Sequence, residues 1–83
     1  MEKSVFTQHY GIFLQVLRQT RNEKGLTQAQ LAERLEETQS WVSKCERGEH
    51  RLDLMELRAF CRALEVPLLE FVQRVETALA EKE

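Results

Sequence analysis

Two threonines constrain this chain more than any other feature. Thr27 and Thr38 each stand where a helix should begin, and they lie close together in the sequence. Thr27 is followed three residues later by Gln30, the spacing of a capping box. In that motif the hydroxyl takes an orphan backbone N–H of the first turn, and the longer side chain reaches back to the cap. Leu31, Ala32 and Leu35 then recur at helical spacing and form an inner face. Thr38 opens a second run to about Arg47, with Val42 and Cys45 on one side and Gly48 as a stop. A joint of roughly two to four residues between two short helices forces a sharp angle, the geometry of a helix-turn-helix.

The remaining segments are also helical. Glycine and proline are scarce, at Gly11, Gly25, Gly48 and Pro67, with long helix-forming stretches between them. A first helix is expected over residues 8–24, with Ile12, Leu14, Val16 and Leu17 as its apolar members and Gly25 as its stop. Asp53 caps a fourth helix with Glu56 as box partner, and Leu54, Leu57, Cys61 and Leu64 follow the amphipathic period. Pro67 suits the first turn of a fifth helix over 67–81, striped by Leu68, Val72, Val75 and Leu79. The pattern predicts an all-α fold of five helices, one domain over 1–83 with no repeat or linker.

Size and composition narrow the function classes. Eighty-three residues suffice for one domain and leave no room for a separate regulatory one. An apolar fraction of 42% fits a globular chain, and no apolar run is long enough to span a membrane. Met1–Tyr10 carries Glu2, Lys3, Gln8 and His9, which is no secretory signal, so the expected location is cytoplasmic. Cys45 and Cys61 sit inside apolar patterns and read as buried thiols. His9, Cys45, His50 and Cys61 lack paired-ligand spacing, so no metal is expected. No nucleophile, base and acid group together, and the chain reads as a non-enzyme with no cofactor or small-molecule ligand. The net charge of −2 is unevenly spread. Residues 1–62 hold 10 basic and 9 acidic residues, a net of +1; residues 63–83 hold 2 and 5, a net of −3. The acidity therefore lies at the C-terminal end, and a local basic surface remains available for nucleic acid.

Several stretches, in order, resemble the Cro and phage-repressor (XRE) family. They are Leu17-Arg18-Gln19-Thr20-Arg21-Asn22-Glu23-Lys24-Gly25-Leu26-Thr27-Gln28, then Leu31-Ala32-Glu33-Arg34-Leu35, then Val42-Ser43-Lys44-Cys45-Glu46-Arg47-Gly48. Arg51-Leu52-Asp53-Leu54 and Arg62-Ala63-Leu64 extend the likeness, which covers about residues 10–68. The resemblance implies a compact five-helix, lambda-repressor-like domain that binds duplex DNA, commonly as a dimer, with its third helix in the major groove. Three positions depart from the family pattern. Glu36 and Glu65 stand where it favours glycine, which predicts strain of about 1 kcal/mol or a shifted cap at each. Cys45 replaces a residue that is usually larger and apolar, which would loosen packing beneath the third helix unless Trp41, one turn earlier, fills the space; Trp41 is expected to be half-buried, with leaning toward DNA as the alternative.

With Val42 and Cys45 facing inward, Gln39, Ser40, Ser43, Lys44 and Arg47 face out. Gln39 and Ser40, near the start of the helix, are expected to reach base edges. A glutamine can bond adenine N6 and N7 together. Ser43 and Lys44 follow one turn later, Lys44 toward guanine or a phosphate. Thr27 and Gln28, at a helix N-terminus, suit a DNA phosphate, as does Thr38. By resemblance Gln28 contacts the backbone and braces Gln39. Arg51 is expected to run along the backbone after the third helix. Arg47 is assigned to the backbone too, or to its own helix end. His50 receives no role. A merely solvated polar surface, or simple capping by Thr27 and Gln28, remains the plain alternative. By resemblance Arg21 and Glu46 form a partly buried ion pair.

The fifth helix carries more apolar surface than one terminal helix needs, and Val75 and Leu79 are expected at a homodimer interface; the alternative is that the whole stripe packs within one chain. The expected partner is a palindromic double-stranded operator, and the expected function is transcriptional regulation, repression before activation. The alternative is an antitoxin or adaptor acting mainly through protein–protein contacts.

Overall fold

In a computed structural model of the protein, which describes residues 5–82, the chain runs through five helices. They are α1 (Val5–Glu23), α2 (Gln28–Leu35), α3 (Gln39–Arg47), α4 (Leu54–Leu64) and α5 (Leu68–Glu81). The first begins earlier than the apolar pattern suggests, at Val5 rather than residue 8. The starts of α2, α3 and α4 follow their side-chain caps, and α5 starts directly after Pro67. Thr27 Oγ1 accepts from the Gln30 amide at 3.0 Å, and Gln30 Oε1 accepts the Thr27 amide at 2.9 Å. Asp53 and Glu56 repeat the arrangement on α4 at 2.7 and 2.8 Å. Thr38 Oγ1 accepts from the Trp41 amide at 3.0 Å.

The first four helices all stop in the same way. Gly25, Glu36, Gly48 and Glu65 adopt φ of 72°, 58°, 83° and 59°. At each, the next amide reaches back to the carbonyl five residues earlier: Leu26 to Arg21, Glu37 to Ala32, Glu49 to Lys44, and Val66 to Cys61. This left-handed cap satisfies carbonyls that the helix itself cannot. Glu36 and Glu65 thus hold the backbone shape that glycine adopts more readily; the caps have not shifted. At Gly48 a side chain would also crowd the Leu14 methyl, 3.0 Å from where its Cβ would lie.

Short connections fold the helices around one core. α1 packs on α5 and α3, α2 on α3 and α4, and α4 on α5. Leu17, Leu31, Val42, Phe60, Leu64 and Phe71 are fully buried at its centre. Cys45 and Cys61 lie in the same cluster as free thiols, and burial pushes both up to about 11. Thiols so held stay protonated and unreactive near neutrality. Trp41 is half-buried, its ring 5.7 Å from Phe60, and covers the side of the core beside the small Cys45.

The fifth helix departs from the expected orientation. Val75 packs against the core of its own chain, and Leu79 is half-buried. The exposed apolar residues are instead Leu69 at 83% and Val72 at 40%. The reason is the phase of the helix. Phe71, Val75 and Ala78 define the side turned to the core, and Leu69 and Val72 fall roughly a third of a turn away. Leu54 and Met55, at the start of α4, are exposed as well. Among the described residues, no helix is long and apolar enough to cross a membrane, and no cluster of His, Cys, Asp and Glu could hold a metal.

Candidate nucleic-acid interface

The exposed edge of α3 follows from what its other edge is tied to. Val42, Cys45 and Glu46 are buried, so one side of the helix belongs to the core. Gln39, Ser40, Lys44 and Arg47 are exposed, and Ser43 is half-buried. Thr38 is exposed, but its hydroxyl already caps the helix.

Glu46 is the anchor. Its carboxylate is 1% exposed and accepts from Arg21 Nε at 2.7 Å and Arg21 Nη2 at 3.1 Å. Gln28 Nε2 adds a third donor at 3.0 Å. Arg21 also donates to the Leu26 carbonyl at 2.8 Å, and Arg18 to the Glu46 carbonyl at 2.7 Å. A buried carboxylate is costly unless paired and hydrogen-bonded. Here one carboxylate joins α1, the first residue of α2, and α3, which sets the angle between the two short helices. The Gln28 amide goes to Glu46, where the family resemblance had it bracing Gln39; the α3 carboxylate is a charged acceptor and wins the donor. Thr27 remains exposed beside it.

Beyond α3 the chain turns through residues 48–53. Arg47 donates to Glu49 Oε2 at 2.7 Å and also to the Ser43 hydroxyl. The guanidinium holds the Glu49 carboxyl below the usual carboxylate range, mainly through that hydrogen bond. Arg47 is therefore partly neutralised, and Ser43 is engaged as its acceptor. Arg51 lies with its guanidinium carbon 4.4 Å from the centroid of the Tyr10 ring, a cation–π contact. The Tyr10 hydroxyl accepts the Leu52 amide at 3.0 Å. Tyr10 thus seats the loop that presents Arg51. Sequence reasoning missed Tyr10 and Arg18. Each acts on a partner 28 or more residues away, and no local pattern marks it.

A family of helix-turn-helix domains matches residues 12–71. An XRE-family-like protein from Pseudomonas syringae pv. tomato str. DC3000 is 36% identical, with a TM-score of 0.82 over 88% of this chain and 89% of that one. The chain belongs to the XRE family of helix-turn-helix proteins. The wild-type restriction-modification controller protein C.Esp1396I is similar at 25% identity, with a TM-score of 0.81 over 88% of this chain and 95% of that one. A point mutant of that controller shows the same identity and TM-score over 87% and 96%. No curated protein matches the sequence. Membership of the XRE family supports DNA binding in transcription regulation, and in this XRE-family chain the two short helices of the motif are α2 and α3.

Proposed function

We propose that the protein is a sequence-specific double-stranded DNA reader that represses transcription by occupying its operator. The observation that carries this reading is the asymmetry of α3: one side is locked by Glu46 and the core, while Gln39, Ser40 and Lys44 stand free of the fold. In the major groove, Gln39 and Ser40 would meet base edges first, with Ser43 and Lys44 one turn on. Thr27, Gln28, Thr38, Arg47 and Arg51 would hold the flanking phosphates. Gln28 can do so through its backbone amide at the start of α2 while its side chain serves Glu46. The protein acts without catalysis or cofactor, in the cytoplasm, as one domain over 1–83.

One such unit reads only a few base pairs. A homodimer on a palindromic operator reads two half-sites about 34 Å apart. Leu69 and Val72, one turn apart on α5, supply the exposed apolar surface for it, with Leu79 at its margin.

Selection of bound duplexes from a random pool, followed by a salt titration, tests the reading. Binding should weaken steeply as salt rises. Gln39→Ala should relax preference at one position of each half-site, at a cost of roughly 1–3 kcal/mol there, while sparing the rest. No enrichment and no DNA binding at low salt would replace this reading with an antitoxin or adaptor role.

A further inference from the structure

His50 lies midway along the loop that carries Arg51, and it touches both helices that bracket the loop. Its Nε2 is 3.1 Å from Glu56 Oε2 on α4. Its ring centroid is 5.5 Å from that of Trp41 on α3, and its amide donates to the Lys44 carbonyl at 3.4 Å. Glu56 is itself fixed, because its other oxygen accepts the Asp53 amide at 2.8 Å and its own amide donates to Asp53 at 2.7 Å. The Asp53 amide and His50 hold the Glu56 carboxyl below the usual range, so it keeps its charge down to mildly acid pH. Among the described residues, the other charged or titratable groups around the loop include Lys44, Cys45, Glu46 and Arg47 from α3, Glu37 just before it, Glu49 and Arg51 of the loop itself, Asp53 at the start of α4, and Tyr10 from α1.

We propose that His50 is a positioning residue of the DNA interface: when protonated it pins the 48–53 loop between Glu56 and Trp41 and so steadies Arg51 against a phosphate. The inference rests on the DNA-reading function proposed above. An imidazole gains its proton between about pH 8 and 5. The protonated ring makes a charge-assisted bond to Glu56 and becomes a cation beside the Trp41 ring. DNA binding that favours the pinned loop must then favour the protonated form. Affinity rises as pH falls through this range and is lost as pH rises. The pair is partly exposed, with side chains 42% and 32% accessible, so the effect is modest.

The test compares wild type, His50→Gln and Glu56→Gln at constant ionic strength from pH 8 to 5.5, on a labelled duplex recovered from the random pool. Trp41, the only tryptophan, reports on the free protein by fluorescence. Wild-type affinity should tighten roughly two- to five-fold on acidification, as expected for a partly exposed pair. Both variants should stay flat, and the Trp41 transition should vanish in His50→Gln. A wild-type profile no steeper than that of His50→Gln overturns the proposal. So does a Glu56→Gln protein with the wild-type slope, since His50 would then be touching phosphate directly. A wild type that binds no duplex at any pH overturns the reader function, and the proposal with it; the other two failures leave DNA binding intact.

Discussion

Glu46 shows how one residue can hold the second helix of a helix-turn-helix in place. It is a carboxylate in the interior, stable there because Arg21 meets it with two N–H groups and Gln28 with a third. Breaking a buried pair by removing one partner costs more than the pair contributes, because the remaining charge stays buried. Arg21→Ala is therefore expected to destabilise the fold by about 3 kcal/mol. For a chain this size that lowers the melting temperature by more than about 10 °C in a thermal scan. An unchanged melting curve would show that the pair contributes little. The family likeness paired Arg21 with Glu46, but not Gln28 with either. A glutamine at the start of a helix has several acceptors within reach, and only the fold brings the Glu46 carboxylate to it.

At the scale of elements, side-chain caps explain why three of the five helices, α2, α3 and α4, start where they do. Thr27, Thr38 and Asp53 start theirs through bonds spanning three residues, which is why those starts are legible in the sequence. The start of α1 is not marked in this way, and the apolar pattern places it three residues late. The stops alternate between Gly25 and Gly48 on one hand and Glu36 and Glu65 on the other, all left-handed. A glutamate pays a steric penalty in that region that glycine avoids, partly offset by the greater freedom glycine loses on folding. Glu36→Gly should accordingly stabilise the protein by about 0.5–1 kcal/mol. A urea midpoint that fails to rise would mean the turn between α2 and α3 carries no such strain. Because Glu36 is exposed and removed from the core, the change should leave the packing of α2 intact.

At the scale of the molecule, the apolar surface left on α4 and α5 bears on assembly. Val75 serves its own core, so a charge placed there would unfold the chain rather than separate two copies. Leu69 and Val72 are the discriminating positions. The double variant Leu69→Glu/Val72→Glu should keep its helical content and melting temperature yet sediment at half the wild-type mass in analytical ultracentrifugation. Equal masses for variant and wild type would remove this face of α5 from the proposed dimer. The stripe on α5 was legible as a stripe, but its phase was not. Phe71 and Ala78 extend the buried side past one edge of the Leu68, Val72, Val75 and Leu79 stripe, and periodicity alone does not say which edge meets the core.

What the sequence determined alone is what short-range physics controls: which segments are helices, which residues cap them, and that Val42 and Cys45 turn one side of α3 inward. What only the tertiary structure decided is how distant groups satisfy one another. Tyr10 seats Leu52 and Arg51, Arg18 takes the Glu46 carbonyl, Gln28 turns to Glu46, and Val75 faces inward. A cap is chosen among a few neighbours along the chain. A buried charge or an apolar side chain finds its partner among whatever the packed helices bring near, and that set exists only once the chain has folded.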